Sequence, residues 1–239
     1  MGQEIISENF DGLPAATSAE MRLLDQWAEE RHGIAREQLM ENAGTAAARE
    51  IMRFAGLLPQ SKIAIACGRG LNGGDGLVIA RILSKEKFSV SAFVCPPKKD
   101  AAYPPLFLAQ MERAQKAGAV VSPFEENGPF LKELEKSFLI IDAILGTGSS
   151  GKPTGAAHFM IQEISRSKKP VIAIDLPSGI NPDTGYHSGA FIIATETLTL
   201  GLPKRGLLFP HSQKNVGRLK VLDIGYPPDL IKSFISLRK

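Results

Sequence analysis

From residue 62 onward the chain alternates short apolar runs with amphipathic ones. Strand-like runs cover residues 62–67, 89–95, 119–121, 138–142, 170–175, 195–200 and 219–223. Helical patterns cover 77–85, 106–117, 130–137 and 156–166. Strands alternating with helices predict an α/β fold, a mostly parallel sheet covered by helices on both faces. The runs FLIID at 138–142 and PVIAID at 170–175 are nearly all apolar, as strands buried on both sides are. Two extra helices are expected at the N-terminus. Thr17 or Ser18 is placed to cap one that carries Met21, Leu24, Trp27 and Ala28 on a single face. The second starts near Ala35 and runs through Leu39, Met40, Ala43, Ala47 and Ile51 towards Phe54. Its alanines and Gly44 predict close packing, with a second subunit as a candidate neighbour. Residues 1–16 show no periodicity and read as a loose arm. No repeat or linker divides the rest, so 1–239 reads as one domain, long enough to bury a substantial core.

Composition excludes several classes. A net charge of +3 is too small to signal nucleic-acid binding. No run approaches the roughly 18 apolar residues of a membrane span, and the acidic start MGQEIISENFDG is not a signal peptide. Cys67 and Cys95 lack metal-ligand spacing and read as reduced, buried thiols, so a cytoplasmic or other reducing compartment is expected.

The first candidate site is CGRGLNGGDG at 67–76, which follows a strand and precedes a helical pattern. It matches G-x-G-x-x-G at Gly68, Gly70 and Gly73. Glycine amides beside a helix start can cradle phosphate. A dinucleotide dehydrogenase also wants an acid at the end of the second strand. Here that strand ends Val94-Cys95-Pro96, which disfavours a standard NAD-dependent dehydrogenase. A tight turn without ligand is the plain alternative. Asp75 argues against it, unless its role is to cap the helix. At the second site Asp142 ends an apolar strand and a glycine-rich loop leads to Lys152, either a phosphate ligand or a solvated surface lysine. At the third, Asp175 ends a strand and precedes Pro177-Ser178-Gly179. Asp142 and Asp175 are expected at the ends of adjacent strands. Two carboxylates there are costly unless hydrogen-bonded, sharing a proton or holding a cation. A hard cation with oxygen ligands is one resolution. Lys204, after another strand, is within reach of the same edge. His32, His158, His187 and His211 have no metal-ligand spacing and read as surface or structural residues.

Taken together, LMENAG at 39–44, NGGDG at 72–76, DAILGTG at 142–148, DLPSG at 175–179, DTG at 183–185, Pro203-Lys204 and DIGYP at 223–227 resemble the YjeF N-terminal domain family, whose enzymes are NAD(P)H-hydrate epimerases. The resemblance runs from about residue 21 to 227. It implies a Rossmann-like three-layer α/β/α sandwich, usually a homodimer. It implies an enzyme that interconverts the R and S forms of NADHX and NADPHX, nicotinamide cofactors with water added across a ring double bond, for a dehydratase to repair. The dehydratase is expected as a separate protein. The resemblance places Leu71, Asn72, Gly73, Gly74 and Asp75 against the substrate. It adds Gly146, Thr147, Gly148, Ser149, Ser150, Gly151 and Lys152, and then Asp175. It implies one potassium ion per subunit, held by Asn72, Asp142 and Ser178. Asp175 is the first choice for acid–base work and Asp75 the second, with Lys152 tuning their ionisation or holding phosphate. Members of the family typically read N-N-G-G-D; here Leu71 replaces the first asparagine. The lost polar contact costs about 1–3 kcal/mol where its partner is left unsatisfied. The rival expectation is a non-catalytic nucleotide-binding or protein-interaction scaffold of the same fold.

Overall fold

The computed structural model of the protein describes residues 9–98, 100–149, 151–187 and 189–237. A small antiparallel hairpin, β1 (Asn9–Phe10) and β2 (Leu13–Pro14), leads into helices α1 (Ser18–His32) and α2 (Arg36–Ile51). The alternating part follows: β3 (Lys62–Cys67), α3 (Leu71–Lys85), β4 (Ser89–Val94), α4 (Pro105–Lys116), β5 (Val120–Pro123), α5 (Phe130–Lys136), β6 (Leu139–Ala143), α6 (Gly155–Ser167) and β7 (Val171–Ile174). The chain then runs through β8 (Glu196–Leu200), the short α7 (Gln213–Val216), β9 (Arg218–Leu222) and α8 (Pro228–Ser236). Strands β3 to β9 form one sheet in the order β5-β4-β3-β6-β7-β8-β9, parallel throughout. Each of the seven expected strands is present, with ends within two residues of those read from the sequence.

The inner strands are apolar on both faces because both faces are covered. Ile63, Ile65 and Cys67 of β3 join the core formed with α1, α2, α3, α4 and α8, whereas Ala64 and Ala66 join the core under α5 and α6. Each fully buried Ile or Leu contributes about 1.5–3 kcal/mol relative to exposure. This is the three-layer α/β/α sandwich. Among the described residues no helix is long and apolar enough to cross a membrane.

Helix α1 starts where its sequence dictates. The Thr17 side chain caps the N–H of Glu20, and Glu20 Oε2 accepts from Thr17 N at 2.7 Å, a capping box. Ser18 N and Oγ donate to the Asp183 carboxylate at 2.6 and 2.8 Å, which ties this helix to the loop after β7. Helix α8 went unread in the sequence, although Pro at its start and Leu230 and Phe234 on its buried side are its marks.

Two expectations need correction here. Residues 9–16 are not a loose arm. Ala15 and Ala16 are buried, and Ala16 N donates to Pro203 O at 2.8 Å while Ala16 O accepts from Arg205 N at 2.9 Å. A bridge to so distant a segment leaves no local pattern. Residues 1–8 of that expectation lie outside the described residues. The alanine stripe of α2 is also not a free dimer face. Ala43, Ala47 and Ala48 are buried within the chain, and a Cβ on Gly44 would lie 2.4 Å from Val78 Cγ1 on α3. The small residues are there so that α2 and α3 can approach closely.

Candidate active site

The strand order reverses between β3 and β6, and doubly wound sheets bind ligands at the carboxyl ends of strands beside such a switch. Both glycine-rich segments lie at this point. They touch through backbone: a Cβ on Gly68 would meet Ile144 O at 1.9 Å, and one on Gly73 would meet Gly68 O at 2.0 Å. Glycine is required at both positions by contact.

Helix α3 begins earlier than expected. The sequence pattern starts a helix at residue 77, because glycines are poor helix formers. In the structure the helix starts at Leu71, with Gly70 as N-cap, so Asn72 to Gly76 form its first turns. Packing overrides propensity. A Cβ on Gly74 would strike Met40 Cε at 2.5 Å, and one on Gly76 would strike Ala143 Cβ at 2.7 Å. Gly70 provides no side-chain cap, so the first-turn amides keep their capacity for an anion. Asp75 is inside the helix and does not cap it, which removes the bland role considered for it. Leu71 is exposed on the first turn, at 56%.

Asp142 and Asp175 end adjacent strands as expected, but each finds its own partners. Asp142 pairs in register with Ala173, two residues short of Asp175. Its carboxylate accepts from Ser178 Oγ at 2.6 Å, Ser178 N at 2.8 Å and Ile144 N at 3.2 Å. Burial pushes the Asp142 carboxyl up to about 6 against these hydrogen bonds. Asp175 has φ +70°, a left-handed conformation unusual for a residue with a side chain. Its Oδ2 accepts from Thr147 N and Oγ1, both at 2.7 Å, and its Oδ1 meets Lys204 Nζ at 2.6 Å. Lys204 is buried and also donates to Leu200 O at 2.5 Å. Burial alone would raise the Asp175 carboxyl, but the ammonium of Lys204 and the Thr147 bonds hold it below the ordinary value. Of the resolutions open from sequence, hydrogen bonding serves Asp142, and Asp175 adds an ion pair with Lys204 to its hydrogen bonds.

Asp75 completes the group. Burial, then the charges of Asp175 and Asp25, raise its carboxyl well above the usual range, which favours the protonated form. Asp25 on α1 accepts from Tyr226 Oη at 2.5 Å, and burial raises its carboxyl too. The Asn72 amide is buried, and neither Oδ1 nor Nδ2 has a hydrogen-bond partner. Gly146 separates Asn72 from Asp175: a Cβ there would lie 2.8 Å from Asp175 Oδ2 and 3.1 Å from Asn72 Cγ.

The structure thus brings together Asn72, Asp75, Thr147 and Asp175 around Gly146 and the start of α3. Gly148 and Gly151 are in the exposed part of the second loop, and Ser149 N donates to Gly146 O at 2.9 Å. Ser150 lies outside the described residues. Lys152 is exposed and runs alongside Gly189. The ammonium that sets the ionisation of Asp175 belongs to Lys204, not to Lys152 as expected. The sequence placed Lys204 only within reach, and it missed Asp25 altogether. Asp25 lies in an ordinary amphipathic helix with nothing local to mark it. Tyr226 belongs to DIGYP, a motif noted without a role.

A family profile described as YjeF-related protein N-terminus matches residues 36–206. The chain is 35% identical over 221 residues to an NAD(P)H-hydrate epimerase of Elusimicrobium minutum, covering 92% of this chain and 99% of that one. It is 39% identical over 224 residues to a bifunctional NAD(P)H-hydrate repair enzyme Nnr of Thermofilum pendens, covering 92% of this chain. It spans only 42% of that bifunctional relative. The crystal structure of the yeast protein ynu0, YNL200c, superposes with a TM-score of 0.78 at 22% identity over 93% of each chain, which shows the shared fold. With its profile match and a near full-length relative in agreement, the chain belongs to the family of the YjeF-related protein N-terminus.

Proposed function

We propose that this chain is an NAD(P)H-hydrate epimerase that interconverts the R and S forms of NADHX and NADPHX. The observation that carries the reading is the pair of unlike carboxyls. Asp175 is ion-paired with buried Lys204, which holds its carboxyl low, whereas burial and neighbouring carboxylates raise that of Asp75 beside it. Environments that push two acids apart assign an acid and a charge stabiliser. The names of the relatives support the same activity.

Inversion needs the C–O bond at the hydrated carbon to break and re-form. Asp75 gives its proton to the leaving hydroxyl, which departs as water. The ring-nitrogen lone pair fills the vacated position, and the resulting cation faces the Asp175 carboxylate. Water adds to either face and returns a proton to Asp75, so the cycle closes without net change. This reverses the order of acid–base candidates expected from sequence. Thr147 and Lys204 fix the Asp175 carboxylate, and the uncapped start of α3 meets the pyrophosphate.

The residues suit a bound potassium ion. Asn72 Oδ1 is a buried oxygen without a partner, and Asp142 and Ser178 add oxygen donors and a negative charge. Asn72, Asp142 and Ser178 would hold the ion, which would neutralise charge and fix the loops without redox chemistry. A dehydratase acting on the S form would then restore the cofactor.

The test is incubation of purified protein with a single NADHX epimer, followed by separation of the epimers by chromatography. Rapid approach to the equilibrium mixture is expected. An epimer ratio that drifts only at the spontaneous rate refutes the enzyme and leaves a binding scaffold, the reading that exposed Leu71 favours.

A further inference from the structure

A second concavity opens next to the start of α3, between the β3–α3 connection and the segment after β4. Its volume is about 210 Å³, and Arg69, Pro97, Lys98, Ala102, Tyr103 and Pro104 are among its walls. None of the carboxyl groups of the candidate active site lines it; every charged side chain among its described walls is basic. Arg69 leans over the end of β4, with Nη1 directed at Pro96 O at 3.5 Å. Tyr103 forms a fixed wall. Its hydroxyl donates to Cys95 O at 3.0 Å, and its ring stacks on Phe107 with centroids 4.9 Å apart.

Topology says what would lie there. On a doubly wound sheet the pyrophosphate of a dinucleotide sits at the helix after the first strand, here α3, and its two nucleosides extend to either side of the switch point. The reactive end is marked by Asp175, which follows β7. The other nucleoside therefore extends towards β4, three strand spacings away, or about 14 Å. At the end of that strand an acid would hold both ribose hydroxyls, whereas an arginine accommodates a 2′-phosphate. Strand β4 leads into Cys95-Pro96-Pro97-Lys98, without an acid, and Arg69 overhangs it. A guanidinium fork and an ammonium point charge are the usual partners of a phosphate monoester.

We propose that this cleft is the subsite for a phosphate on the adenosine ribose, so that the chain prefers NADPHX to NADHX. The inference rests on the epimerase reading for its substrate, but its test does not need turnover. Titration calorimetry compares ADP-ribose with 2′-phospho-ADP-ribose. The phosphorylated ligand is expected to bind about tenfold tighter or better. The double variant Arg69→Ala/Lys98→Ala is expected to erase that preference and to lower the ratio of kcat/KM for NADPHX over NADHX. Both side chains are exposed, and an unchanged melting curve checks the fold. Equal affinities in the unmodified protein, binding of neither ligand, or a preference that survives the double variant overturns the inference. A protein that prefers the phosphorylated ligand yet turns over neither hydrate keeps this subsite and loses the epimerase reading.

Discussion

The ion pair of Asp175 and Lys204 permits a sharp test of the electrostatics. At 2.6 Å two unit charges attract by about 6 kcal/mol at an effective dielectric of 20, before desolvation is subtracted. Lys204→Met keeps most of the buried side-chain volume and removes the ammonium. Asp175 is left buried with only the Thr147 hydrogen bonds. Breaking a buried pair in this way costs about 3–5 kcal/mol. The carboxyl can escape by taking a proton. That sets an upper limit of about 4 kcal/mol at pH 7 and about 1.5 kcal/mol at pH 5, from about 1.4 kcal/mol per pH unit above an unfolded value near 3.9. In the unmodified protein the Asp175 carboxyl is lowered, so its contribution is present at neutral pH and is lost only as pH falls through that lowered value. In the variant the burial effect prevails and the folded value is raised. Its contribution is then full below the unfolded value and is lost as pH rises. Urea unfolding should therefore show a gap between the two proteins that narrows from pH 7 to pH 5. Adding Asp175→Asn to Lys204→Met should recover about 2 kcal/mol or more at pH 7, a coupling that a double-mutant cycle isolates. Asparagine tolerates the left-handed backbone at this position. A gap independent of pH, with no recovery in the double variant, would refute the assignment of an ionised Asp175 held by Lys204.

Further outcomes follow from other parts of the site. Asp175→Asn alone should lower kcat for epimerisation about a hundredfold or more with the fold retained, read from kinetics and circular dichroism. Because burial raises Asp142 from 3.8 to about 6, that group should cost the folded state about 2 kcal/mol as pH rises from 4 to 7 in potassium-free buffer, and Asp142→Asn should flatten that slope in urea unfolding. Potassium should raise Tm more at pH 7 than at pH 5, and Asn72→Leu should abolish the rise; an equal response with tetramethylammonium would count against the ion site. Gly146→Ala places a methyl group 2.8 Å from Asp175 Oδ2 and should reduce kcat/KM at least about tenfold, with a stability cost within the 1–3 kcal/mol typical of overpacking.

The inner strands β3, β6 and β7 were readable because each is a short apolar run buried on both sides, and such a run announces itself locally. Asp142, Asp175 and NGGDG were readable as a candidate site because strand ends at a switch point are where ligands bind. What the sequence alone determined is therefore the layer architecture, the strand count and the rim of the sheet on which the candidate residues gather. Partnership was decided only in three dimensions. Register puts Asp142 on Ser178, while the turn at Asp175 and the loop stitched to Ala16 put the Lys204 ammonium on the Asp175 carboxylate. The glycines of α3 argue against a helix locally, yet contacts with Met40 and Ala143 make them helical. Local pattern reports what a segment buries, whereas the raised carboxyl of Asp75 depends on charges from α1, the turn after β7 and the loop after β8, whose meeting is fixed by tertiary packing.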